Sequence, residues 1–161
     1  MRPRPQLPLH TIVAVLCLLL AVAGSLVATA GAAVPSAPPR PVVVADGGAH
    51  RQAAQGSYCW ESGNHGLCVD TLDPIEFAPR LPAPAGSTLT VRMGYPVEQL
   101  SASTGRGEEL AAVPLGERSR KFEIELPRQR AGRIDLYLFA RYDRGDGYFA
   151  IRVRQLGNGH G

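Results

Sequence analysis

Four stretches of the chain alternate strictly between apolar and polar residues, at residues 88–93, 121–126, 133–142 and 148–154. In the second stretch Phe122, Ile124 and Leu126 share one face, and charged residues occupy the other. A period of two residues is typical of β-strands with one buried face. In the third stretch Tyr137 and Phe139 fall on the polar side, which indicates that this second face is partly covered as well. The pattern therefore predicts four amphipathic strands.

Weaker strand patterns lie at residues 97–103 and 109–115, and Pro114 places the latter at a sheet edge or at its own end. Turn signals rich in glycine and proline fall at residues 86–87, 94–96, 105–107 and 146–147. Helical periodicity is not sustained anywhere. The sequence therefore predicts an all-β fold, a single Ig-like (fibronectin III-like) antiparallel β-sandwich of about seven strands over residues 51–156.

The first residues of the chain predict an export signal. Arg2 and Arg4 precede an apolar run over residues 11–34, and small residues at its end offer cleavage after Ala30 or Ala32. The run is also long enough to stay as a transmembrane helix, since about 20 apolar residues cross a bilayer. We prefer cleavage of residues 1–30, because small and polar residues interrupt the second half of the run. In either case the remainder is exported, and is secreted or anchored at the outer face of the cytoplasmic membrane.

Residues 31–50 are rich in proline and alanine, which predicts an extended linker. The alternative is that the valine run at residues 42–46 forms a first strand. Residues 157–161 are predicted to be a disordered tail.

Cys59 and Cys68 are nine positions apart, on either side of a predicted turn. Cysteines that face each other across a hairpin can meet disulfide geometry, and an exported pair encounters an oxidising compartment. Trp60 is predicted to point to the opposite face from Cys59. The alternative is a metal site that adds His65 and Asp70, but the spacing of these ligands matches no usual zinc or copper pattern. We therefore predict a disulfide, with no metal and no cofactor.

The chain contains the motifs G-S-Y-C-W (residues 56–60) and C-V-D (68–70), then a proline-rich connection and G-S-T-L-T-V (86–91). These motifs resemble those of a group of exported proteins of Gram-positive bacteria. The ending IDLYLFARYDRGDGYFAIRVR (134–154) is also similar to theirs, although Tyr142 stands where tryptophan is commoner. The resemblance covers about residues 54–155. It implies a β-sandwich and an extracytoplasmic location, and it brings no activity and no catalytic residues.

The sequence offers no catalytic set. Only His65 of the four histidines lies within the predicted domain, and no nucleophile-elbow, zinc-protease, phosphate-loop or dinucleotide motif occurs. A dense basic stripe of the nucleic-acid-binding kind is missing too. We therefore predict a monomeric, non-enzymatic binding or accessory module at the cell surface, whose partner is an unidentified protein or the cell-wall or membrane surface. The alternative is a membrane-tethered sensor or accessory subunit, and a metal carrier or hydrolase ranks lower.

Residues 118–161 hold ten basic and five acidic residues. Arg141, Arg152 and Arg154 alternate outward on two predicted neighbouring strands, and Arg144 lies in the turn between them. This set is a candidate docking face for an anionic wall polymer or lipid headgroups. The competing interpretation is a solvated surface neutralised by nearby carboxylates. The triplet Arg144-Gly145-Asp146 matches an adhesion motif, but ordinary turn chemistry explains it.

Overall fold

The computed structural model describes residues 34–116, 119–128 and 132–157. Within these ranges the chain forms twelve strands and one short 3-10 helix, Pro74–Phe77. The strands are β1 Val42–Ala45, β2 His50–Gln52, β3 Ala54–Ser62, β4 His65–Val69, β5 Arg80–Pro84, β6 Thr88–Arg92, β7 Gln99–Thr104, β8 Glu109–Leu110, β9 Ala112–Pro114, β10 Lys121–Glu125, β11 Gly132–Tyr142 and β12 Gly145–Leu156. The predicted all-β class is confirmed.

Two sheets enclose the core. The small sheet has the strand order β2-β1-β6-β10-β9, and the large sheet has the order β4-β3-β12-β11-β7-β8. Strand β5 pairs in parallel with the last part of β12, and the other strand pairs are antiparallel. The predicted alternation is confirmed, since Leu89, Ile124 and Leu136 are fully buried between the sheets. The parallel pair departs from the purely antiparallel sandwich that the sequence predicts.

The prediction that residues 31–50 form an extended linker is wrong from Val34 onward. Val42–Ala45 forms β1, which pairs with β6, and Val43 and Ala45 are buried in the core. The alternative interpretation of the valine run as a strand is the correct one, because β-branched residues fit a pleated sheet that is half buried. The compact unit therefore begins at Val34 and not at residue 51.

The proline-rich segment before β1 also packs on the sandwich. The Trp60 indole Nε1 donates a hydrogen bond to the Pro35 carbonyl oxygen at 2.7 Å. Pro38 and Pro41 are buried, and the Gln55 amide donates to the Pro38 carbonyl at 3.4 Å. The segment is part of the domain and not a free spacer.

Strands β11 and β12 form a hairpin whose turn is Asp143–Arg144. The predicted turn at residues 146–147 is wrong, because Asp146 and Gly147 already pair with β11. Gly145 has a φ of 135°, and a Cβ added there would lie 2.1 Å from the Cys59 carbonyl oxygen. Only glycine fits at this close approach of two backbones.

The predicted export signal, with its cleavage candidates Ala30 and Ala32, lies outside the described residues, as does the predicted tail from residue 158 onward. In the part of the chain that is described, no helix is long and apolar enough to cross a membrane.

Trp60, Tyr95 and Tyr142 form an aromatic cluster between the sheets. Trp60 meets the two tyrosines edge to face, with ring centroids 5.5 Å and 5.2 Å apart. The Tyr142 hydroxyl is buried and has no hydrogen-bond partner among the described residues. Burial raises the pKa of Tyr142, because the charged phenolate is poorly solvated there.

We predict that Tyr142→Phe raises the free energy of unfolding by about 1 kcal/mol at neutral pH, since a buried hydroxyl without a partner carries a desolvation penalty. Above the ordinary tyrosine pKa of about 10 the unfolded chain loses this proton while the folded chain keeps it, so stability falls as pH rises. Urea titrations near pH 7 and in the alkaline range should show that the variant loses less stability than the wild type as pH rises. A variant less stable than the wild type at pH 7 would contradict the prediction.

Candidate functional site

The predicted disulfide is confirmed. Cys59 on β3 and Cys68 on β4 are directly opposite in register, and their sulfur atoms are bonded. Trp60 is buried on the other face of β3, as the alternation predicts. Strand β4 is the edge of the large sheet, and its first four residues are exposed. The bond therefore fastens an edge strand to the sandwich.

The alternative of a metal site finds no support in the positions of its candidate ligands. The two sulfur atoms are bonded to each other, so neither cysteine is a free thiolate. His65 is exposed at the hairpin turn, and Asp70 accepts a hydrogen bond from the Ser57 hydroxyl at 2.7 Å. Among the described residues no three histidine, cysteine or acidic side chains are grouped to hold a metal ion.

The triplet Arg144-Gly145-Asp146 is tied to the fold. The Arg144 guanidinium donates to the Tyr95 hydroxyl at 3.3 Å, and its carbonyl accepts from the Glu61 amide at 2.8 Å. Asp146 accepts a bond from the Cys59 amide at 3.4 Å. These contacts give each residue a structural role in joining the hairpin to β3.

The predicted arginine face is divided by the strand register. Arg141, Arg152 and Arg154 do share the outer face of the large sheet, but Arg141 is opposite Asp146 and Arg152 is opposite Asp135. The two rows are six positions apart along β12, which is about 20 Å of strand. Arg141 lies 3.9 Å from Glu98 near the turn, and Arg144 is at the turn itself. Only Arg152 and Arg154 remain neighbours.

Four arginines gather at the end of β12 that is far from the turn. Arg152 has Arg80 of β5 as its partner on one side, and Arg154 is directly opposite Arg133 of β11. They line an open groove of about 520 Å³, together with the partly exposed Leu156. We call these four side chains the arginine groove: Arg80, Arg133, Arg152 and Arg154.

One carboxylate, that of Asp135, forms ion pairs with residues of the arginine groove. Asp135 Oδ1 lies 3.4 Å from both Arg133 Nε and Arg152 Nε. Arg152 also donates to the Ile75 carbonyl oxygen at 2.9 Å, which fixes its position under the 3-10 helix. Arg80 and Arg154 are exposed, and neither forms an ion pair with a described carboxylate. The groove therefore keeps an excess of positive charge.

The alternation of apolar and polar residues alone could have added Arg133 to the candidate set. Arg133 is two positions from Asp135 on β11 and therefore lies on the same face of the sheet. Arg80 carried no such signal. It reaches the groove only because β5 pairs in parallel with β12, and parallel pairing joins segments that are far apart in sequence.

A second feature on the same outer face is aromatic. Tyr137 and Tyr148 are nearly parallel, with ring centroids 5.5 Å apart and an interplanar angle of 12°. Phe139 is directly opposite Tyr148 in register and is 42% exposed. We call these three residues the aromatic patch. The Tyr137 hydroxyl donates to Asp73 Oδ2 at 3.0 Å, and burial together with this carboxylate raises the pKa of Tyr137 to about 12.

Comparisons of the chain with protein-family models, with curated proteins and with solved structures gave no match.

We predict that the double substitution Cys59→Ser/Cys68→Ser lowers the free energy of unfolding by about 2.7 kcal/mol, the chain-entropy value for a closed loop of about ten residues. The folded hairpin should persist, because its strands stay paired by backbone hydrogen bonds. Chemical denaturation of the variant, and of the wild type under reducing conditions, measures the loss. Equal stability of the oxidised and reduced wild type would contradict the prediction.

Proposed function

We propose that this protein is an exported, non-enzymatic binding module of the Ig-like β-sandwich class, which attaches to an anionic polymer at the cell surface through the arginine groove. The observation that carries the proposal is the meeting of two directly opposed arginine pairs around the single carboxylate of Asp135.

Like charges placed opposite each other on neighbouring strands destabilise a sheet. Arg133 opposes Arg154, and Arg80 opposes Arg152, so this end of the sheet carries an electrostatic cost in the absence of a counterion. A bound phosphate or carboxylate would offset that cost. The planar guanidinium group binds both of these anions through two parallel hydrogen bonds, which is why arginine predominates in such sites.

The shape of the site favours a polymer chain. The guanidinium-bearing strands β5, β12 and β11 are neighbours, so the charged positions extend over about 10 Å across the sheet at a strand spacing of about 4.8 Å. The charges line a groove and do not project from a convex surface. A polyanion with repeating phosphates can place successive charges against several arginines. A flat array of lipid headgroups reaches such a groove less well.

We predict that Arg80→Ala/Arg154→Ala weakens binding to soluble poly(glycerol phosphate) at least about tenfold at low salt, since a charge-assisted hydrogen bond contributes about 1.5–3 kcal/mol. Both residues are exposed, so the variant should fold like the wild type. Isothermal titration calorimetry at increasing salt measures the effect, and the wild-type affinity should fall as salt rises.

The matched control is Arg92→Ala/Arg141→Ala, which removes the same charge at two exposed positions away from the groove. It should bind within about twofold of the wild type, because exposed charges at this distance are screened by salt. Equal weakening by both double variants would show that net charge alone drives binding and would overturn the proposal. Wild-type binding to anionic lipid vesicles but not to the polymer would overturn it as well.

A further inference from the structure

The aromatic patch lies on the solvent side of the large sheet, outside both the core and the arginine groove. Its residues belong to β11 and β12, and the strand on its free side is β7. The register places Ser101 beside Phe139 and Ser103 beside Tyr137. Three aromatic rings therefore stand next to a row of two small hydroxyl side chains.

These residues line a shallow groove of about 280 Å³ that extends to Glu109 and Leu110 of β8. Glu109 is its only charged lining residue among those described, and no arginine or lysine contributes to it. The groove thus offers aromatic surface, hydroxyl groups and one carboxylate. An anionic ligand would meet Glu109 as a like charge, so the charge pattern disfavours an anion.

The rings are held in place before any ligand arrives. The bond from the Tyr137 hydroxyl to Asp73 fixes one ring, and Tyr148 is parallel to it. Pro74 of the 3-10 helix is buried close to Tyr148, since a Cβ built on Gly56 would touch both. Preorganised aromatic side chains lose little conformational entropy on binding, which makes them efficient contact residues.

The surface exposes little apolar side-chain area to a protein partner. Specific protein interfaces bury about 800 Å² on each side. Among the described residues that line this groove, Phe139 is the only large hydrophobic side chain that is exposed, and the two tyrosines are half-buried. A sugar ring suits the site better. Its C–H groups pack on aromatic rings, while its hydroxyls pair with serine, tyrosine and carboxylate oxygens.

We propose that the aromatic patch, with Ser101, Ser103 and Glu109, is a binding site for an uncharged β-1,4-linked oligosaccharide. Equatorial linkages give such chains an extended form with apolar C–H surfaces, which matches an open groove along a sheet. The site does not depend on the arginine groove, and it would give the module a second point of attachment to a glycan-containing surface.

The test titrates cellohexaose and chitohexaose into the full-length exported protein by calorimetry. We expect at least one hexamer to bind with a dissociation constant of about 1 mM or tighter, and Phe139→Ala to weaken it at least about tenfold. The matched control is Phe77→Ala, an aromatic that is 71% exposed and does not line the groove. It should bind like the wild type.

A second variant, Glu109→Gln, guards against a folding defect in Phe139→Ala, because Glu109 is exposed on a two-residue edge strand. It should weaken binding about threefold or more, since a hydrogen bond to a charged group is the stronger kind. The Arg80→Ala/Arg154→Ala variant should bind the sugars with unchanged affinity, so this inference and the proposed function can fail separately. The inference is overturned if neither hexamer binds at about 5 mM, or if Phe77→Ala weakens binding as much as Phe139→Ala does.

Discussion

The whole large sheet depends on the pairing that β12 makes along both of its edges. One edge pairs with β11 over its full length, from Gly145 to Gln155. The other edge pairs first with β3, with a register shift between Gly147 and Phe149, and then from Arg152 onward with the parallel strand β5. Its inward residues, Phe149, Ile151 and Val153, are fully buried. Since one strand fixes the positions of three neighbours, the register of β12 decides which outer side chains meet: the arginines at its far end, the aromatic rings in the middle and the turn contacts at its start.

The start of β12 also explains why the proline-rich segment belongs to the domain. Gly145 lies against the Cys59 carbonyl and is opposite Trp60, whose side chain is buried between the sheets. Its indole N–H needs an acceptor there, because a buried donor without a partner is costly. The carbonyl of Pro35 supplies it. A segment without regular strand structure can thus be a required part of a core when it satisfies a buried polar group.

The alternation of apolar and polar residues was enough to predict the strands that have one buried face, and the spacing of two cysteines was enough for the disulfide. The alternation did not predict the strands that form only by pairing with a strand distant in the sequence. Val42–Ala45 is short and lies in a proline-rich stretch, and Arg80–Pro84 contains two prolines. Both become strands because β6 and β12 offer them open edges. The arginine set was half right for the same reason. The alternation along a strand shows on which face a side chain lies, whereas the register decides its neighbours. The register is fixed here by the turn at residues 143–144, three positions before the predicted turn at residues 146–147.

The arginine groove and the aromatic patch share one sheet face, but the most exposed residues of each lie well apart. Phe139 is six positions along β11 from Arg133, which corresponds to about 20 Å of strand, whereas Tyr137 is a diagonal neighbour of Arg152. At physiological ionic strength exposed charges are screened beyond about 8 Å. Between the two surfaces Asp135 binds two guanidinium groups, and Ala150 is covered by the segment that holds Asp73 and Ile75. The charges of Arg80, Arg133 and Arg154 therefore do not reach Phe139, and Asp135 offsets the charge of Arg152 beside Tyr137. One face can in this way present two chemistries side by side, one that selects anions and one that selects uncharged rings.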